Sequence, residues 1–276
     1  MIIKFYIKLR SLLELKEFRL RLLSSLIILT VFYISFIIGN PLFVILLSSI
    51  FCLVLFELDK MDGTKINKFH FFKNLLLQFT LFIFLISKLK QFDLGIFIDY
   101  DVFLFLSLLI NLYFYKIYNN YITFIFSNFI LICFFLLLEI LFMSDGLNLF
   151  LYVVLLISTM DVFAYIGGKL SGKIKIVPKI SNGKTVEGTL IGLIFTVSIA
   201  FMIRDLVNLD IYLSMLVGFF IGVLSFLGDI LESSVKRSVG VKDSGNLIPG
   251  HGGLMDRLDG YIIVLPVFYT FLILPY

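Results

Sequence analysis

Charge is scarce in this chain. Asp, Glu, Lys and Arg make up 15% of its 276 residues, where an average soluble domain carries about 25%. Cysteine is scarcer still: Cys52 and Cys133 stand alone in apolar runs, with no C-x-x-C spacing and no neighbouring His. That excludes a disulfide framework and a zinc site, and leaves two small packing residues. No Walker-type G-x-x-x-x-G-K-[ST] run is present, so the chain is not a P-loop NTPase. The net charge of +4 is spread over many short segments rather than gathered into a groove-sized basic patch, which argues against a nucleic-acid partner.

What fills the chain instead is apolar: 60% of residues, with a mean hydropathy of +1.07, against roughly 45 to 50% in ordinary domains. A soluble core cannot bury that much apolar surface. Hydropathy divides the sequence into about nine runs, at 22–39, 41–56, 74–88, 95–115, 121–143, 147–168, 187–204, 211–232 and 260–276. Several are near the short limit for a hydrocarbon layer of about 30 Å. The expected fold is all-α: a polytopic integral membrane protein with about nine transmembrane helices in one continuous membrane domain. Residues 1–150 supply N-terminal helices behind a basic leader, and residues 151–276 form a C-terminal region with two polar, Gly-rich loops.

Basic residues in short loops stay on the cytoplasmic side of a membrane. With nine spans, all but Lys88, Lys90 and Arg204 of the 23 Lys and Arg fall on the side of the N-terminus. The N-terminus is therefore expected in the cytoplasm, and both polar loops with it. The leader, MIIKFYIKLRSLLELKEFRLR, fits either a helix lying in the headgroup layer or a solvated basic segment. It is too charged for a signal-peptide core and is expected to be retained. His70, among Lys68, Phe71, Phe72 and Lys73, reads as an ordinary interfacial residue.

Glycine clusters in two places. Gly167, Gly168, Gly172, Gly183, Gly188 and Gly192 form one group, and Gly240, Gly245, Gly250, Gly252, Gly253 and Gly260 the other; together they hold 12 of the 19 glycines. Glycine lets main-chain N–H groups approach anions closely, which suits loops that wrap phosphates. Gly188 and Gly192 also have the spacing of a helix-packing motif.

Acidic residues concentrate in the same region. Asp229 and Glu232 are three apart, as are Asp256 and Asp259, and Asp243 lies between the pairs. Residues three apart share a helix face, and carboxylates set among Lys and Arg make an oxygen-rich site of the kind that holds Mg²⁺ beside phosphates. The alternative is a set of helix-end salt bridges in which Lys236, Arg237, Lys242 and Arg257 neutralise the acids.

The order of residues favours the first of these. Ser233 to Asp259 reads SSVKRSVGVKDSGNLIPGHGGLMDRLD and fits the signature S-x-[apolar]-K-R-x4-K-D-x-G-x2-[apolar]-P-x-H-G-G-[apolar]-x-D-R-[apolar]-D. It resembles that of the phosphatidate cytidylyltransferases, or CDP-diacylglycerol synthases. Gly228, Asp229, Glu232 and Ser233 are similar to the G-D-x-x-E-S that leads into it. A second block, DVFAYIGG followed by VPKISNGKTVEG, resembles D-x-x-A-Y-x-x-G and A-P-x-x-S-P-x-K-T-x-E-G, with departures at Val177, Asn182 and Val186. The motif resemblance covers about Asp161 to Asp259.

That resemblance implies condensation of CTP with phosphatidic acid to CDP-diacylglycerol and pyrophosphate, using Mg²⁺ or another divalent cation. It implies Asp229, Asp243, Asp256 and Asp259 as metal ligands. Lys236, Arg237, Lys242 and Arg257 would hold phosphates, with His251 either donating to a phosphate oxygen or shaping its turn. Ser181, Lys184, Thr185 and Glu187 would form a second phosphate-contacting loop, Glu187 either orienting Lys184 or reaching the metal. Asp161, Tyr165, Ser233, Gly252 and Gly253 complete the expected substrate contacts. A homodimer in the cell membrane, with its active site facing the cytoplasm, is the assembly the resemblance implies. Three other readings remain open: a CDP-archaeol-type synthase, a CTP-dependent polyprenol kinase, and a transporter that uses the intramembrane acids Asp161 and Glu139 for coupling.

Overall fold

The computed structural model describes residues 40–63, 68–88, 100–245 and 253–273, together with Thr30 and Ile34. Among them the regular structure is helical: α1 (Asn40–Met61), α2 (Lys68–Lys88), α3 (Tyr100–Tyr113), α4 (Tyr121–Leu141), α5 (Gly146–Ser171), α6 (Val186–Met202), α7 (Ile211–Ser238) and α8 (Tyr261–Ile273). Each overlaps one of the expected spans from the second to the ninth. The first, 22–39, lies outside the described residues apart from Thr30 and Ile34, as does the basic leader. Among the described residues, four candidate membrane spans are long and apolar enough to cross a bilayer: Lys68–Leu85, Tyr121–Leu141, Gly146–Ser171 and Ile211–Ser238.

Two helices run beyond their apolar stretches. α1 continues past residue 56 to Met61 and takes Glu57 and Asp59 with it. α7 continues past residue 232 to Ser238, placing Ser233, Lys236 and Arg237 on a helix rather than in a loop. The last turns of α7 are held by the buried pair Lys236 Nζ–Glu232 Oε2 at 2.6 Å, four residues apart, and carry two cations where the helix dipole is negative. Hydropathy reports where lipid ends; these helices end later because polar side chains sustain them.

The chain forms two compact units, 1–131 with 238–257, and 132–237 with 258–276. In the first, α1 buries Phe51, Val54, Leu55 and Leu58, and α2 buries Leu77, Leu81, Phe84 and Leu85, each a stripe at helical spacing. Their outward faces are no more polar than the core: Leu53, Phe56, Phe79 and Phe82 are exposed. A helix that is apolar all round belongs in lipid.

Polar groups inside this unit are joined to one another. Lys73 Nζ donates to Asp59 Oδ1 at 2.6 Å and to the Tyr118 hydroxyl at 2.9 Å, while Asn74 Nδ2 donates to Asp59 Oδ2 at 2.7 Å. Burial holds the Tyr118 phenol above its ordinary range. The Tyr118 hydroxyl donates to Asn111 Oδ1 at 2.8 Å, and Asn111 Nδ2 to Ser127 Oγ at 2.7 Å. Asp62 accepts the backbone N–H groups of Asn119 and Asn120 and the Thr123 hydroxyl, fixing the start of α4. His70 is buried, and its three-residue offset from Lys73 turns both to the same face of α2.

In the second unit, α5 and α6 pack along their length through glycine. A Cβ at Gly188 would stand 2.6 Å from the Ala164 carbonyl oxygen and 2.9 Å from Gly168 N, and one at Gly192 would stand 2.8 Å from Met160 Sδ. Small residues four apart let two backbones meet, which settles the use of this pair as helix packing. Cys133 is buried and donates to the Ile262 carbonyl at 2.9 Å, while Cys52 is exposed.

Candidate active site

The second unit carries the block from Asp161 to Gly188. Its loop between α5 and α6 is a closed hairpin: Ile176 N donates to the Lys184 carbonyl at 3.0 Å and Val186 N to the Ile174 carbonyl at 2.9 Å, with an isolated bridge between Lys175 and Thr185. At the hairpin tip, Ser181 N donates to the Val177 carbonyl at 2.9 Å. Thr185 caps α6, its Oγ1 accepting Gly188 N at 3.2 Å, as a side-chain oxygen at this position does for a free helical N–H. Glu187 Oε2 accepts Lys173 N at 3.0 Å and Ile174 N at 3.3 Å. Glu187 therefore closes the hairpin, where either orientation of Lys184 or a metal contact was expected of it.

Lys184 finds its carboxylate elsewhere. Its Nζ lies 2.8 Å from Asp229 Oδ2, with the Lys side chain 11% exposed and the Asp 34%. The ammonium also stands 5.0 Å from the centre of the Phe226 ring, a favourable cation–π position. Ser233 Oγ donates to Asp229 Oδ1 at 3.2 Å, and Arg237 Nε reaches the Ile180 carbonyl at 3.2 Å. The second block is thus tied to α7 at both ends of its polar tip. Asp161 and Tyr165 are exposed on α5, with Lys169 Nζ 5.8 Å from the Tyr165 ring centre. Asp161 and Asp259 both act electrostatically on Tyr261. Asp259 Oδ1 accepts Gly260 N at 2.8 Å.

The first unit carries Lys242, Asp243, Ser244, Gly245 and Gly253–Arg257; His251 and Gly252 lie outside the described residues. Lys242, Asp243 and Arg257 are exposed. Asp256 is buried, and its carboxylate accepts Ser244 N at 3.1 Å and Gly253 N at 2.7 Å. The Gly253 N–H, expected to face substrate, points to Asp256. Asp256 sits in the 3-10 turn Met255–Arg257, while Asp259 precedes α8. The two do not share an α-helical face, as their three-residue spacing had implied.

Sequence reasoning missed Glu57. From the last turns of α1, its Oε1 accepts Leu254 N at 2.9 Å and its Oε2 accepts Met255 N at 2.8 Å and the Ser244 hydroxyl at 3.4 Å. The signal was available: an acid at the end of an apolar run is a functional candidate. The sequence FELDKMDG offers three such acids within six residues, with nothing local to choose among them.

Among the described residues, no three His, Cys, Asp or Glu side chains form a group able to hold a metal ion. The chemistry of the donors does suit one. Asp229, Asp243, Asp256 and Asp259 offer hard oxygens, the ligands Mg²⁺ takes. Asp243 is exposed and Asp229 partly so. A carboxylate has about four acceptor positions, so those that accept a backbone N–H keep capacity for a cation.

A family model described as the cytidylyltransferase family matches residues 19–274. Over 132 residues the chain is 45% identical to a phosphatidate cytidylyltransferase of Staphylococcus haemolyticus (strain JCSC1435), covering 47% of this chain and 51% of the relative. It is 39% identical over 132 residues to a phosphatidate cytidylyltransferase of Staphylococcus aureus (strain COL), with the same coverage. It is also 44% identical over 131 residues to the uncharacterized protein YnbB of Escherichia coli (strain K12), covering 47% of this chain and 44% of that protein. The chain spans about half the length of the curated relatives it matches.

Proposed function

The chain belongs to the cytidylyltransferase family, and from that premise we propose that it transfers the cytidylyl group of CTP to phosphatidic acid, giving CDP-diacylglycerol and pyrophosphate. The observation that carries this reading is the Lys184–Asp229 pair at 2.8 Å. It brings two motif blocks, separate in sequence, to one point, and leaves there a cation for phosphate beside an oxygen ligand for a metal.

A phosphate oxygen of phosphatidic acid attacks the α-phosphorus of CTP as the bond to the pyrophosphate oxygen breaks. The nucleophile is already an anion, since a phosphate monoester has its second pKa near 6; no strong general base is required. The work lies in bringing two anions together and stabilising charge on the departing pyrophosphate. Lys184, Lys236, Arg237, Lys242 and Arg257 supply the positive charge, with Ser181, Thr185 and Glu187 shaping the hairpin around Lys184. Ser233, Gly252, Gly253 and His251 add hydrogen bonds or turn geometry, and Asp161 and Tyr165 face the substrate from α5. Asp229, Asp243, Asp256 and Asp259 are the residues from which ligands to a divalent cation would be drawn, and such an ion would supply positive charge to the phosphate oxygens.

On this reading the chain is a multi-pass protein of the cell membrane with about nine spans, supported by its apolar helices. Its N-terminus and polar loops face the cytoplasm, where CTP is available, and it acts as a homodimer. Residues 1–150 provide the membrane helices and 151–276 the catalytic region.

The test is purified protein in detergent with CTP, phosphatidic acid and Mg²⁺. Release of pyrophosphate with formation of CDP-diacylglycerol supports the reading. Release of CDP from CTP with phosphorylation of an added polyprenol would make it a kinase, preference for a diether phosphate an archaeol-type synthase, and substrate flux across vesicles without either product a transporter.

A further inference from the structure

Glu57 is 2% exposed and is enclosed by the segment it holds. A Cβ at Gly245 would stand 2.7 Å from its Oε1, and one at Gly253 would meet Ser244 Oγ first, then Glu57 Oε2 at 2.7 Å and Gly245 N at 2.8 Å. Gly245 thus leaves room for the carboxylate, and Gly253 for the Ser244 hydroxyl and the carboxylate together, where Glu57 reaches the Leu254 and Met255 N–H groups. The Asp256 carboxylate works on the same stretch from the opposite direction, accepting Ser244 N and Gly253 N. Between them, the two acids tie Ser244 to Gly253–Asp256. Among the described residues, Glu57 accepts two backbone N–H groups and one hydroxyl, with no Lys or Arg among its partners. Such charge-assisted bonds to backbone are about twice as strong as neutral ones, so the main chain at Gly253, Leu254 and Met255 is firmly held.

We propose that Glu57 is a positioning residue for the transfer reaction: from a helix outside the motif blocks, it fixes the signature backbone so that Asp256 and Arg257 are presented to the nucleotide in one orientation. The assignment rests on the cytidylyltransferase reading. It differs from a packing role because what Glu57 holds is the main chain immediately before Asp256. A displacement of about 1 Å at a reacting centre can cost about 100-fold in rate, so the effect falls on kcat more than on KM for CTP.

Full-length protein in detergent carrying Glu57→Gln, Glu57→Asp, Gly253→Ala or, as a control on the same helix, Asp59→Asn separates these roles. Two readouts are followed: amide hydrogen exchange in 253–257, and steady-state pyrophosphate release. Glu57→Gln puts an amide donor against N–H donors; exchange at Leu254 and Met255 is expected to rise about tenfold or more and kcat to fall about 100-fold, with KM for CTP within about threefold. Glu57→Asp, which keeps the carboxylate, should recover part of kcat. Gly253→Ala, whose Cβ would meet Ser244 Oγ and the Gly245 backbone as well as the carboxylate, should raise exchange in 253–257 in its own right. Asp59→Asn loosens α1 without touching the loop and should leave protection at 253–257 intact. Wild-type exchange and kcat in Glu57→Gln would overturn the proposal. So would an equal loss of kcat in Asp59→Asn with loop protection unchanged in both. If wild-type protein releases no pyrophosphate, the functional reading falls, and the exchange measurement alone decides whether Glu57 anchors the loop.

Discussion

Lys184 Nζ stands 2.8 Å from Asp229 Oδ2, so that a hairpin lysine and a helix aspartate, 45 residues apart, neutralise one another at the polar end of α7. The pair is partly sheltered, where attraction between charges exceeds its value in bulk water. Substrate phosphate and metal would each find one partner prepared, the ammonium for the anion and the carboxylate for the cation.

Removing either partner should therefore damage activity more than stability. Lys184→Ala and Asp229→Asn are each expected to lower kcat by about 100-fold or more, the usual cost of losing one preorganised electrostatic contact. The double variant should lose much less than the product of the two. Pyrophosphate release beside thermal melting of the same preparations checks this; full activity in Lys184→Ala would remove the second block from the site.

Asp256→Asn turns an amide toward the Ser244 and Gly253 N–H groups that the carboxylate now accepts. The expected result is loss of activity by about 100-fold, together with a stability cost of about 1 to 3 kcal/mol for unsatisfied buried donors. A variant as active as wild type would end both its loop-ordering role and its place among the metal ligands.

Chelation should abolish pyrophosphate release, and added Mg²⁺ should restore it. Asp243→Asn, at an exposed position, is expected to raise the Mg²⁺ concentration needed for half-maximal rate by about tenfold, the smaller of the effects typical of altered metal sites, with no change in melting temperature. An unchanged Mg²⁺ requirement would clear Asp243 of that role.

Glycine at the α5–α6 crossing makes a graded prediction. A Cβ at Gly188 meets only backbone, the Ala164 carbonyl oxygen at 2.6 Å and Gly168 N at 2.9 Å, whereas one at Gly192 meets the Met160 sulfur at 2.8 Å and backbone only at 3.0 Å, the Met160 carbonyl oxygen. A flexible side chain yields where backbone does not. Gly188→Ala should destabilise by about 1 to 3 kcal/mol and Gly192→Ala by less, read as denaturation midpoints in one detergent.

Lys73→Met leaves Asp59 buried without its ammonium partner. Breaking a buried pair from one side costs about 3 to 5 kcal/mol. Adding Asp59→Asn in the same chain should recover much of that loss. Equal stability of single and double variants would show that the pair contributes little.

Much of this was legible in the order of residues. The apolar runs marked where α1 to α8 would lie, since apolar content over a span's length is a property of the segment alone. The aspartates and cations of the signature were legible for the same reason: their spacing is local. Helix ends were not, because Glu232–Lys236 and the polar turn at Glu57 prolong helices beyond the stretch that lipid requires. Nor did the three-residue spacing of Asp256 and Asp259 mean a shared face, as a 3-10 turn intervenes before α8.

The sequence by itself determined the solvent this chain belongs to, its helical class and the chemistry of its polar segments, because composition and short-range spacing act through neighbouring residues. Tertiary structure alone decided which of those residues meet. It paired Lys184 with Asp229 instead of Glu187 and turned Glu187 to its own hairpin. It also chose Glu57, out of three nearby acids, to hold the signature from 197 residues away in the chain. Such choices depend on how helices pack and which backbone N–H groups that packing leaves to be satisfied, and no local pattern encodes them.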